Sequence, residues 1–348
     1  MRILVTGGAG FLGSHVCELF KSKGWEVLAY DNLTKFEYSR AFKKVEAIRD
    51  YNLKFLESIG IPTIIDDIEN IKMLRKAMND CDFVAHCAAQ PAMTVAIEDP
   101  ILDFQTNIMG TLGILELCRE RGTPVANCST IHMYGNESWN SLVKPKGTRL
   151  VPPGILGEEF AVNEENLLLQ GRVSPLHVSK RAAELYVQAY IDMYGLKAVN
   201  FRLTGIYGPR QFGGEDHGWV ANFTIRTLLE QGIKIFGTDQ QVRDILYVKD
   251  AANAFWCWFK AGCPSGTYNI GGGHACSTSI CELLDMLEQF TGKKSETELL
   301  PKRLGDLWWF ISDYSKATKA FNWKPTISPE VGVKRLIKWV EQERGLFE

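Results

Sequence analysis

Apolar residues in this chain fall in short unbroken runs separated by amphipathic stretches, and the first run sets the pattern. Ile3, Leu4 and Val5 follow one another without a polar interruption, as in a strand buried on both faces of a parallel sheet. Residues 14–23 then carry helical spacing, Gly24 stops the helix, and 25–30 form a second apolar run ending at Asp31. Residues 61–65 predict a third strand leading into Asp66, Asp67 and Ile68, and 83–90 a fourth. Helical spacing over 104–121, a fifth strand over 125–130, a helix over 179–194 and a sixth strand over 198–202 continue the alternation. Such alternation predicts an α/β fold built as a Rossmann-type doubly wound parallel sheet. Residues 136–173, with Pro145, Pro152, Pro153 and several glycines, predict a long irregular segment of the kind that usually carries function or moves.

The junction of the first strand and first helix carries candidate chemistry. Gly7, Gly10 and Gly13 fall where the turn must be tight, where backbone must approach a phosphate, and where helix must pack on strand. The unpaired amides of the helix's first turn, around Phe11 and Leu12, then point at an anion. Asp31, with Asn32 beside it, lies roughly 20 residues on, placed to accept hydrogen bonds from an adenosine ribose. A carboxylate there repels a 2′-phosphate and favours NAD over NADP, although Lys35 and Arg40 would ease a phosphate's presence. Asp67 and Ile68, at a strand's carboxyl end, are candidates for contact with the adenine, or for the N-cap of the next helix.

Composition narrows the partners. With 39 basic and 41 acidic residues the formal charge is −2, so neither a nucleic-acid face nor a polybasic membrane patch is expected. No apolar run approaches the roughly 18 residues of a membrane span, the amino terminus reads as a strand instead of a signal peptide, and a cytoplasmic protein is expected. Nine scattered cysteines without CxxC pairing predict reduced core thiols and no metal centre. A length of 348 residues exceeds what one core usually supports. The expected division is an NAD-binding Rossmann domain over 1–202 and a smaller mixed α/β, mainly substrate-binding lobe over 203–348, with a segment near 245–260 returning to the first domain. Within that segment Phe255-Trp-Cys-Trp-Phe259 reads as helix core; Trp308 and Trp309 stay open.

Several stretches together resemble the extended short-chain dehydrogenase/reductases of the nucleotide-sugar epimerase and dehydratase group. They are Thr6-Gly-Gly-Ala-Gly-Phe-Leu-Gly13, Ala88-Ala-Gln-Pro-Ala-Met-Thr94, Tyr207-Gly-Pro-Arg-Gln-Phe212 with His217-Gly-Trp219, Gln241-Val-Arg-Asp244 and Arg303-Leu-Gly-Asp306. The narrower ones, around Gln211, Trp219 and Arg243, are most similar to the branch of CDP-paratose (CDP-tyvelose) 2-epimerases. The resemblance implies a homodimer, docked through the helices near Phe104 and Ser179, that inverts C2 of a CDP-linked deoxyhexose by transient oxidation with tightly bound NAD. It places Ala88, Ala89, Gln90, Asn107 and Lys180 against the cofactor and Thr130 on the sugar hydroxyl. It puts Thr94, Gln211, His217 and Trp219 around the sugar, and Arg243 and Arg303 on the diphosphate, where guanidinium groups can bind in a bidentate way.

One position breaks the pattern. The resemblance calls for a tyrosine four residues before Lys180, where a nearby cation would favour the phenolate, and this chain has Leu176. Leucine cannot accept a proton. His177 adjoins the vacancy, but one residue along a helix turns a side chain by about 100°; His132, two residues after Thr130, is expected to be poised near pH 7. Ile131 and His132 stand where the group's dehydratases carry Asp-Glu, which argues against dehydration. Another reaction of a sugar nucleotide, such as enolisation of a keto-sugar, and a catalytically silent relative both remain open. His15, His86 and His274 read as structural.

Overall fold

The structure, a computed structural model, describes residues 1–348 apart from 35–37, 136, 157–158, 170, 216 and 304. Lys35 therefore lies outside the described residues.

Seven strands form one sheet: β1 (Arg2–Thr6), β2 (Glu26–Asp31), β3 (Thr63–Ile65), β4 (Phe83–His86), β5 (Val125–Thr130), β6 (Ala198–Leu203) and β7 (Gly266–Ile270). Their spatial order is 3-2-1-4-5-6-7, and each pairing is parallel. The order reverses between β1 and β4, which opens a crevice at their carboxyl ends, where ligands bind in such sheets. The unbroken apolar runs have a direct cause, because alternate residues of a strand serve opposite faces. Ile3 and Val5 join a core with Val16 and Phe20 of the helix Phe11–Ser22, while Leu4 joins one with Ile114, Leu117 and Val187.

Several boundaries differ from those the sequence suggests. β4 ends at His86, because the amide of Ala88 goes to Thr6 Oγ1 (3.4 Å) and that of Gln90 to Asn107 Oδ1 (2.9 Å). The helical stretch 104–121 is Pro100–Phe104, a widened π-type turn over Gln105–Met109, and Gly110–Arg121. The helix expected from 179 begins at Pro175 and runs to Tyr194. Asn70, not Asp67, caps Ile71–Ala77, accepting from the Met73 amide. Part of 136–173 is ordered as a hairpin, Lys144–Lys146 with Arg149–Val151. The chain beyond 203 returns to the first core three times, the last through Ala317 and Phe321 of helix Ser315–Phe321 and the adjoining Trp323. Helix Val248–Lys260 packs Phe255 and Trp258 into it, and β7 extends the sheet beside β6.

The rest of the second lobe is organised around strand Val242–Tyr247, which pairs with Gly205–Tyr207, Ser277–Ser279 and Trp309–Phe310. Helices Trp219–Leu228, Ile280–Thr291 and Pro329–Gln342 pack there over a core holding Tyr207, Phe212, Ile245 and Leu336.

Candidate active site

The glycine turn is built for close approach. Gly7 has φ +66°, and a Cβ on it would lie 2.6 Å from the Ala88 nitrogen; a Cβ on Gly13 would lie 2.0 Å from the Gly7 carbonyl oxygen. The helix Phe11–Ser22 starts at Gly10 without a side-chain cap and with no acidic residue in its first turn. Its first amides, those of Phe11 and Leu12 among them, are thus left for an anion. Asp31 is buried, and each of its oxygens accepts one amide, Ala9 at 3.0 Å and Leu33 at 2.8 Å. A carboxylate oxygen has two lone pairs, so each keeps one for a ligand hydroxyl. Asn32 donates to Asp67 Oδ2 (2.9 Å), and Ile68 packs where a Cβ on Gly110 would sit. Arg40 pairs with Glu98. Glycines that cannot carry a Cβ, uncapped amides and a ribose-accepting carboxylate fit an adenine dinucleotide.

The next strand ends form a buried polar knot. Asn107, inside the π-type turn, donates to the Gln90 carbonyl (3.0 Å), Asp103 Oδ1 (2.9 Å) and Ser179 Oγ (3.2 Å). Gln90 Nε2 also reaches Asp103 Oδ1, and its Oε1 accepts from the Ala92 amide. Asn107 therefore fixes the loop that carries Ala88 and Ala89. His86 bridges Thr6 and Thr111; because the Thr111 hydroxyl donates to the Asn107 carbonyl, it accepts from His86 Nε2–H, and Thr6 donates to Nδ1. Burial, reinforced by Lys180, pushes His86 down to about 3, so it stays neutral. Lys180, from the helix Pro175–Tyr194, donates to the Cys128 carbonyl at 3.2 Å. Burial lowers its pKa, while Cys128, Asp103, Cys87 and Glu184 pull the other way.

The two candidate histidines come together. Their rings meet edge to face, centroids 5.6 Å apart. Thr130 ends β5 half-buried and accepts the His132 amide at 3.2 Å, leaving its own hydroxyl proton to donate. The expectation that His132 is poised near pH 7 is corrected: burial, then the neighbouring His177 and Arg243, push it down to about 3. Leu176 is buried at 6% exposure in the first turn of its helix. Burial also lowers His177. Thr94 Oγ1, His132 Nδ1 and His177 Nε2 are buried without a partner among the described residues. Polar atoms so placed are rare in native folds, and the three lie at one point of the crevice with hydrogen-bonding capacity to spare.

The second lobe reaches this point through the loop around Gly305, whose added Cβ would lie 3.2 Å from Met93 Sδ and 3.5 Å from His177 Cε1. The adjoining Asp306 carboxyl feels both Arg243 and Arg303. Arg243 is pushed down to about 10 by burial, and Arg303 lies 3.5 Å over the Phe236 ring while donating to the Glu215 carbonyl at 2.8 Å. In that lobe Gln211 donates to the Ile206 carbonyl, and His217 stacks on Tyr38. Trp219 packs against Gly205 and Phe223. His15 is held by the Pro209 carbonyl and His274 faces that of Phe160. Asp103, Ser174 and Asp306 join the site without having been singled out by sequence; the Ser-Pro step at 174–175 is a helix-start signal that could have pointed to Ser174.

Residues 3–271 match the NAD dependent epimerase/dehydratase family. The chain belongs to that family. Among its relatives, the CDP-paratose 2-epimerase of Salmonella typhi is 32% identical, the alignment covering 97% of this chain and 99% of the other. The UDP-glucuronate 4-epimerase of Thermodesulfobacterium geofontis is 31% identical over 99% and 98%. The Thermotoga maritima UDP-glucose 4-epimerase crystallised with UDP-glucose superposes with a TM-score of 0.81 at 30% identity, covering 99% of this chain and all of that one. The Bacillus cereus UDP-glucuronic acid 4-epimerase in complex with UDP-glucuronic acid and NAD gives 0.81 at 27%, with the same coverage. As in the rest of this family, the cofactor is NAD.

Proposed function

We propose that the protein is a nucleotide-sugar epimerase that inverts C2 of a CDP-linked deoxyhexose. The observation that carries this reading is the convergence of Thr130, Lys180 and the His132–His177 pair beside the glycine turn, with Arg243 reaching them from the other lobe. Gly7, Gly10, Gly13 and the amides of Phe11 and Leu12 hold the pyrophosphate, Asp31 the adenosine ribose, and Lys180 the nicotinamide ribose. The chemistry that NAD supplies when bound is reversible acceptance of a hydride. Thr130 donates its free hydroxyl proton to the sugar oxygen and orients the C2 bond. Lys180 sets a positive charge beside that oxygen, favouring loss of its proton. Arg243 and Arg303 anchor the diphosphate, so the sugar can turn between two faces without leaving. A diphosphate against Arg243 would offset the smallest of the three effects that lower His132, behind burial and His177, and so raise the basicity of the imidazole.

Leu176 favours a second reading, enolisation of a sugar that already carries a ketone, because a carbonyl acidifies its neighbouring C–H without a phenolate. Purified protein incubated with CDP-paratose in heavy water decides between them. Inversion without deuterium at carbon supports hydride return, deuterium at the inverted carbon supports enolisation, and no turnover removes both for this substrate.

We further propose that the protein works as a cytoplasmic homodimer. Ile101 (65% exposed), Phe104 (47%), Val178 (52%) and Leu185 (53%) put apolar side chains on two neighbouring helices, a patch of the kind that marks an interface. Its nine cysteines, all free, suit a reducing compartment, and among the described residues no helix is long and apolar enough to cross a membrane. The variant Phe104→Glu/Val178→Glu is expected to sediment as a monomer where the wild type sediments as a dimer; identical sedimentation would place the interface elsewhere.

A further inference from the structure

The histidine beside Leu176 has one ring nitrogen tied to the cap of its own helix. Ser174 stands at the N-cap of the helix Pro175–Tyr194; its backbone N–H donates to His177 Nδ1 at 3.1 Å, and its Oγ lies 2.7 Å from the same nitrogen. A ring nitrogen that accepts an amide N–H cannot itself carry a hydrogen, so the neutral imidazole bears its proton on Nε2. The Ser174 hydroxyl then also donates to Nδ1; the reverse arrangement would set two hydrogens against each other. Nε2, the nitrogen left as donor, is buried and has no acceptor among the described residues, on a side chain only 2% exposed. The His132 ring meets it edge to face, and Gly305, at φ +87°, passes close to Cε1.

We propose that Ser174 fixes His177 as the Nε2–H tautomer, making it an uncharged hydrogen-bond donor to a hydroxyl or carbonyl oxygen of the bound sugar. This rests on reading the crevice as a nucleotide-sugar site. A neutral imidazole used in this way polarises a carbonyl while its proton stays in place. His177 then takes over the oxygen-binding half of the work of a phenol, and not the proton-accepting half, because Nε2 already carries its hydrogen. The groups that face it reinforce neutrality. Burial itself disfavours a charged His177, and the His132 ring against it, also held neutral by burial, supplies no counter-charge. The nearby carboxylate, Asp306, is engaged by Arg243 and Arg303. Ser174 is a positioning residue.

The test is long-range proton–nitrogen correlation spectroscopy on the full-length protein, labelled with 15N-histidine and loaded with NAD, with His177 assigned from the variant His177→Gln. The expected pattern is a proton on Nε2 and an unprotonated Nδ1, unchanged between pH 8 and pH 6. Ser174→Ala, which keeps the backbone N–H and loses only the hydroxyl, is expected to keep the proton on Nε2 with the Nδ1 resonance shifted, and Ser174→Thr to leave both nitrogens unchanged. A proton on Nδ1, or on both nitrogens at pH 7, overturns the proposal. CDP-glucose is then added as the sugar probe and CMP as its sugarless control. A downfield shift of the Nε2 proton with CDP-glucose alone supports the donor role. Binding of CDP-glucose, seen in other resonances, with that proton unmoved overturns the donor role. No binding of either nucleotide overturns the functional reading and the donor role with it, while the tautomer stands or falls on the spectra without ligand.

Discussion

Replacement of Lys180 by methionine is expected to lower turnover of CDP-paratose by about 10³-fold, within the range found when a positioned proton-transfer group is removed, and to weaken NAD binding. Lys180 uses one of its three donors on the Cys128 carbonyl, at 3.2 Å, and the other two are left for ligand oxygens. Burial lowers its pKa while Asp103 and Glu184 act in the opposite direction, an arrangement with little structural purpose unless an oxygen is to be held or acidified there. Methionine keeps the unbranched stem and removes the charge. It also removes the cost of burying an ammonium, so stability is expected to change by less than about 1.5 kcal/mol, as for volume-conserving substitutions. Steady-state kinetics, calorimetric titration with NAD and a urea transition separate the three effects. Wild-type turnover in the variant would take Lys180 out of the chemistry.

How much of the molecule was legible in the sequence depends on how local each cause is. β5 runs over Val125–Thr130 as expected, because an apolar run facing two buried layers needs no distant partner to be recognised. β7 was not legible: Gly266–Ile270 has a polar Asn269 within it, fully buried and satisfied by the Val162 and Asp313 carbonyls. Those partners lie far along the chain. The early end of β4 has the same origin, since Thr6 and Asn107 draw off the amides that would have continued it. The π-type turn at Gln105–Met109 hides inside ordinary helical spacing, and it carries Asn107, consistent with the tendency of such turns to sit at functional sites. At the site, residue types were readable and environments were not. His132 could be picked out by its place after Thr130, but its burial against His177 and Arg243, which reverses the expected protonation, depends on a segment of the other lobe.

The largest stability effect is expected at Glu184, one helical turn beyond Lys180. Its buried carboxylate accepts Arg202 through both Nε (2.8 Å) and Nη2 (2.9 Å), Ser129 Oγ at 2.6 Å and Arg181 Nη1 at 2.8 Å. Arg202 in turn donates to the Tyr134 hydroxyl (2.9 Å), which donates to Asn269 Oδ1 (2.6 Å), so one carboxylate ties the long helix to β5, β6 and β7. Glu184→Ala would leave Arg202, only 3% exposed, as a buried cation without its counter-charge. Breaking such a pair from one side costs about 3–5 kcal/mol, a large share of the roughly 5–15 kcal/mol that typically separates folded from unfolded chains. Removing the arginine as well should recover part of the loss, because Glu184→Ala/Arg202→Met no longer strands a charge, and a double-mutant cycle on urea midpoints isolates that coupling. Additive losses in the cycle would mean that the two groups are solvated independently. The network would then contribute through packing instead of through the ion pair.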